Sequence, residues 1–104
     1  MKLETVSNIE IAPGDSLLVV GLKGGGSPSY QYVYRASAGV YWDNVAGAFK
    51  LSIKNDKRFA HWFAHLRKVL EDEMNVQLHV AEQTAWTNVP TDVRSEIELS
   101  NGRL

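Results

Sequence analysis

The 104-residue sequence contains no cysteine. That excludes disulfides, thiolate metal ligands and cysteine nucleophiles, and it rules out a small secreted scaffold held by cross-links. A reducing cytoplasm is the expected compartment. Long hydrophobic runs are missing too. The longest, Leu17 to Val20 extended through Gly21 and Leu22, falls far short of the roughly 20 residues that span a bilayer. The segment from Met1 to Ile11 carries Glu4 and Glu10 and has no continuous apolar stretch, so neither a targeting segment nor membrane association is expected. There is no excess of one charge: 11 Lys and Arg stand against 12 Asp and Glu, for a net charge of -1. That balance argues against a dedicated nucleic-acid protein.

What is present suits a globular chain. Hydrophobic residues at 44% and charged residues at 22% lie near the average for folded domains. The length supports one core and not two, so residues 1–104 read as a single domain, without repeats or linkers. Charge is unevenly spread. Lys50, Lys54, Lys57, Arg58, Arg67 and Lys68 cluster with only Asp56 among them, whereas residues 71–98 hold seven acids against Arg94.

Leu3, Val6, Ile9 and Ile11 alternate loosely up to the turn signal Pro13-Gly14-Asp15, which gives a first strand. Ser16 to Leu22 is short and rich in leucine and valine, as expected of a central strand covered on both faces. Lys23 to Ser29 contains Gly24, Gly25, Gly26 and Pro28 and must be a loop. Tyr30 to Ala36 alternates cleanly, which predicts a strand with Tyr30, Tyr32 and Tyr34 on one face and Val33 on the other. Gly39 to Trp42 and Ala48 to Ile53 complete a meander of short antiparallel strands.

Asn55 or Asp56 offers an N-cap. From there Phe59, Trp62, Phe63, Leu66, Val69, Leu70 and Met74 recur at spacings of three and four, which predicts a helix over residues 56–74. His61, His65, Lys68 and Asp72 fall on its opposite face. Asn75 ends the helix, and Val76, Leu78 and Val80 alternate as a further strand. The tail supports two readings. Pro90-Thr91-Asp92 starts a short helix, whereas Glu96 to Leu99 alternates like an edge strand; the helix is preferred. The architecture is therefore α+β: a mainly antiparallel sheet of four to six strands, one long amphipathic helix packed on one face, and a short C-terminal helix.

No enzyme motif is present. His61 and His65 have the spacing of a metal-binding pair, but Trp62 stands where a hydrolytic zinc motif needs its glutamate, and Lys68 shares the stripe. An ordinary solvated helix face accounts for the same residues, and no metal or cofactor is expected. The glycine run lacks the helix, lysine and hydroxyl offsets of a phosphate loop. A small hydrolase or isomerase would rest only on available histidines and aspartates such as Asp43, Asp56 and Asp92.

The strongest pointer is aromatic. Tyr30, Tyr32, Tyr34, Tyr41 and Trp42 form either an aromatic-lined cleft or a packed face under the helix. The leading expectation is a homo-oligomeric binding module, most simply a dimer, whose cleft takes a small organic ligand or peptide beneath a glycine loop at Gly25. In that case Tyr32→Ala and Trp42→Ala impair binding or assembly more than folding. A sheet with one helix leaves a face bare, and bare faces are commonly buried by dimerisation. Lys54, Lys57 and Arg58, near a helix N-terminus, form a candidate anion site. The alternative reading is an antitoxin-like or immunity-like interaction factor that presents its acidic C-terminal third to a basic protein partner.

Overall fold

A computed structural model describes residues 2–14, 17–53 and 58–101. Among these residues five strands form one sheet: β1 (Lys2–Ile11), β2 (Leu17–Leu22), β3 (Val40–Asp43), β4 (Ala48–Ser52) and β5 (Val76–Thr87). Their spatial order is β3-β4-β2-β1-β5. Every pairing is antiparallel except that of β1 with β5, so the sheet is mixed. The parallel pair exists because α1 (Phe59–Met74) carries the chain back across the sheet between β4 and β5. A second helix, α2 (Thr91–Asn101), follows β5, so the tail is helical as preferred.

Register sorts the side chains into two faces. Trp42 lies beside Phe49, Phe49 beside Val20, Val20 beside Ile9, and Ile9 beside Trp86. One step along, Val40, Leu51, Leu18 and Ile11 form a second row. The valines, leucines, isoleucines and Phe49 of these rows are buried, and they meet Phe63, Leu66 and Leu70 of α1 and Ile97 of α2 in a single core. The opposite face presents Tyr41, Lys50, Val19, Glu10 and Thr87 in register, none of them buried. β2 is central, as expected, but it is covered on one face and not on both.

Helix α1 follows the predicted spacing. Phe59, Phe63, Leu66 and Leu70 are buried, Trp62, Val69 and Met74 are half-buried, and the helix ends at Asn75 in the left-handed conformation (φ 57°, ψ 40°). Arg58 stands at the N-cap position; Asn55 and Asp56, the expected caps, lie outside the described residues.

Strand β5 runs past the predicted alternation at 76–80. Its register against β1 slips between Val80 and Ala85, and buried Thr84 stitches the irregularity. Its Oγ1 accepts from the Ala81 amide at 2.9 Å and donates to the Val6 carbonyl at 2.7 Å.

One predicted element is corrected. Tyr30 to Ala36 is not a strand; Pro28–Arg35 forms a 3₁₀ helix. The Tyr30 amide donates to the Ser27 carbonyl and the Ala36 amide to the Val33 carbonyl, each at 3.0 Å. Pro28 sits in the first turn, where its fixed φ suits a helix and its missing N–H costs nothing. The edge beside β4 belongs to β3, and the 3₁₀ helix packs against β3 instead of joining the sheet.

Candidate functional site

Three residues per turn give a 3₁₀ helix three eclipsed rows, and each row here has its own surroundings. Tyr30 and Val33, one turn apart, are buried. Ser29, Tyr32 and Arg35 form the second row and line an open cleft of about 440 Å³. Pro28 and Gln31 belong to the third and line a smaller cleft of about 210 Å³ with Trp42 and Asn44.

The larger cleft lies between the 3₁₀ helix and the C-terminal end of α1. Val33 and Met74 provide apolar lining, Ala36 and Ser29 are small, and Glu73 brings a carboxylate from α1. Arg35 stacks over the Tyr32 ring at 4.6 Å and reaches 5.9 Å from that of Tyr34. Stacking of this kind orients a guanidinium while leaving its N–H edge open. The volume of the cleft lies within the range that small-molecule pockets span in general, and its lining mixes apolar and charged groups.

The aromatic residues singled out from the sequence divide. Tyr30 and Trp42 are 2% and 8% exposed and belong to the core. Their rings meet edge to face at 5.3 Å, and Phe49 completes the trio. Tyr32, Tyr34 and Tyr41 are 46%, 55% and 44% exposed. Tyr32 faces the larger cleft, Tyr34 flanks Arg35, and Tyr41 sits apart on the outer face of the sheet. Gly25 and Gly26 both take positive φ, of 74°. Gly26 lies so close to the Trp42 indole that a Cβ there would stand 2.4 Å from it, whereas Gly25 approaches the backbone turn at Gly47. The glycine loop thus wraps the edge of the core ahead of the 3₁₀ helix.

Tyr30 also carries a buried polar contact: its hydroxyl donates to Glu4 on β1. Burial, reinforced by the Glu4 hydrogen bond and charge, pushes the Tyr30 phenol well above its ordinary range. Lys2 stands 3.6 Å from the same carboxylate. On the outer face, Lys50 and Asp43 pair at 2.8 Å across β4 and β3. The Lys50 hydrogen bond, helped by the Ala46 and Val45 amides, holds the Asp43 carboxyl below its usual value.

Lys54 and Lys57 lie outside the described residues. Arg58 lines a cleft of about 290 Å³ that also holds His61, Asp92 and Glu96, so two carboxylates share the position proposed for an anion. His61 is exposed, while His65 turns toward the loop after the 3₁₀ helix, where its Nε2 lies 2.8 Å from the Ser37 Oγ. A serine nucleophile needs a base that is itself oriented by a further group; among the described residues no carboxylate takes that place beside His65. No group of three or more histidine, cysteine, aspartate or glutamate residues able to hold a metal occurs among the described residues. No described helix is long and apolar enough to cross a membrane.

Sequence reasoning missed Arg35, Glu73, Met74 and Ser29. The signal was a spacing of three, Ser29-Tyr32-Arg35, lying under a stronger spacing of two. No family model matches the chain, and no curated protein matches it. A solved structure described as an integron cassette protein, Hfx_Cass5, from the mobile metagenome of the North West Arm sewage outfall is similar to it at 26% identity over 98% of both chains, with a TM-score of 0.41.

Proposed function

We propose that the protein is a small binding module whose ligand, a small organic molecule, occupies the cleft between the 3₁₀ helix and the end of α1. The observation that carries this reading is the row Ser29-Tyr32-Arg35 facing Glu73 and Met74 across about 440 Å³. An exposed aromatic ring and a stacked guanidinium converge there over an apolar floor of Val33 and Met74. Residue-resolved NMR during titration with a library of small aromatic and aliphatic compounds tests it. Binding should perturb Tyr32, Val33, Ala36 and Met74 together, and Tyr32→Ala should remove the response while the fold persists. Perturbations confined to other surfaces would sink the reading.

The same proposal includes a homodimer through the outer face of the sheet. Glu10, Val19 and Lys50 are in register across three strands, so a two-fold axis running parallel to β2 near Val19 would set the Lys50–Asp43 pair of each copy against the Glu10 of the other. Sedimentation of the wild type and of Val19→Lys tests this part by itself: a dimer that the substitution dissociates supports it, and a wild-type monomer removes it.

A second reading, the acidic interaction factor, is favoured by Glu82 of β5 and Glu98 of α2, which line one cleft together. Association with a basic protein through these groups would weaken steeply with salt, and a partner retained equally at high ionic strength would exclude it.

A further inference from the structure

From the two charges that flank the main cleft, we infer that its ligand is a zwitterion, an α-amino acid with an apolar or aromatic side chain. This rests on the cleft being the binding site and adds the chemical class of what it binds. Arg35 and Glu73 line the cleft from different elements, one from the 3₁₀ helix and one from the last turn of α1. Among the described residues neither forms an ion pair or side-chain hydrogen bond with the other or with a third group; the contacts of Arg35 are its stacks on Tyr32 and Tyr34. A cation and an anion that share a cleft without closing on each other are satisfied together by a ligand carrying both opposite charges. The guanidinium edge matches a carboxylate through two parallel hydrogen bonds, and the Glu73 carboxylate accepts from an ammonium. A purely anionic ligand would meet Glu73 unfavourably, and a purely cationic one would meet Arg35.

The remaining lining decides the side chain. The Tyr32 ring, Val33, Ala36 and Met74 supply the apolar part of the same lining, beside the two charges. Methionine is unbranched and adapts to varied shapes, so the site should tolerate several apolar side chains and discriminate against charged ones. Because both charged residues are exposed, each contributes modestly.

Four related probes separate the contributions: L-phenylalanine, L-phenylalaninamide, which lacks the carboxylate, N-acetyl-L-phenylalanine, which lacks the ammonium, and N-acetyl-L-phenylalaninamide, which lacks both. In NMR titrations the free amino acid should bind tightest, and loss of either charge should weaken binding roughly three- to tenfold. Arg35→Gln should lower the affinity for L-phenylalanine to that of the amide, and Glu73→Gln to that of the N-acetyl compound. Both residues are exposed, so each variant should keep the wild-type circular dichroism. Equal affinity for all four probes at Tyr32, Val33 and Met74, or a preference for a singly charged one, would overturn the inference while leaving the cleft reading intact. If none of the probes perturbs those residues, the inference falls; if the broader compound library also leaves them unmoved, the cleft reading falls with it.

Discussion

Tyr30 and Glu4, 26 residues apart, hydrogen-bond to each other at the margin of the core, with the phenol donating to a carboxylate that is only 6% exposed. The contact joins the 3₁₀ helix to β1, although the two elements are not paired in the sheet. It gives a buried acid a donor that water cannot supply there.

Removing that donor should therefore cost more than a typical hydrogen bond. Tyr30→Phe retains the ring contacts with Trp42 and Phe49 but leaves Glu4 with Lys2 as its nearest charged neighbour. The expected loss is about 1–3 kcal/mol, read from urea denaturation at neutral pH.

The same residue sets an alkaline limit. The Tyr30 phenol is raised above its ordinary value of 10.0 in the folded protein, so its contribution to stability is complete below pH 10. Above that, the unfolded chain ionises first and the contribution is lost progressively as pH rises toward the folded value. Stability measured across this range should fall more steeply for the wild type than for Tyr30→Phe. Parallel curves would show that Tyr30 does not govern the decline.

Asp43 should behave in the opposite sense. Its carboxyl is held below 3.8, chiefly by the Lys50 hydrogen bond, so its contribution is present above that pH and disappears as acid titrates the folded group. Asp43→Asn should lower the melting temperature at neutral pH, and the difference from wild type should shrink in acid. The side chain also accepts from the Val45 and Ala46 amides at 3.0 and 3.1 Å, so the substitution should disturb the β3–β4 turn as well.

Two glycines of the same loop, separated by one residue, should respond differently to the same change. An alanine Cβ at Gly26 would strike the Trp42 indole at 2.4 Å from a backbone of positive φ, whereas one at Gly24 meets nothing within 4 Å. Gly26→Ala should destabilise by roughly 1–3 kcal/mol, and Gly24→Ala should stay within about 0.5 kcal/mol of wild type. Thermal melts of the pair check this.

Trp42→Ala and Tyr32→Ala should likewise separate. Trp42 is core, and truncation should cost about 3–5 kcal/mol, a large share of the total stability of a small domain. Tyr32 is exposed on the cleft, and truncation should leave folding nearly unchanged while it removes ligand binding. From the sequence, both variants are expected to impair binding or assembly more than folding. The structure restricts that expectation to Tyr32.

The sequence by itself determined the elements whose pattern has one interpretation. The seven apolar positions of α1 fit only a helical period, the triple glycine only a loop, and the valine and leucine run of β2 a strand buried in the sheet. Hydrophobic burial drives these choices locally, because each pattern exposes a single apolar surface that must be covered. Tertiary structure decided the segment where two periods competed. Tyr30, Tyr32 and Tyr34 repeat every two residues and would suit a strand, yet β3 occupies the edge beside β4, and Pro28 starts a helix instead. With a period of three, Tyr30 and Val33 turn inward together, while Tyr32 and Arg35 turn outward to meet Glu73 and Met74 from 38 or more residues later in the chain. A cleft assembled from two distant segments has no local signature, because its geometry comes from how the 3₁₀ helix and α1 pack and not from the spacing within either.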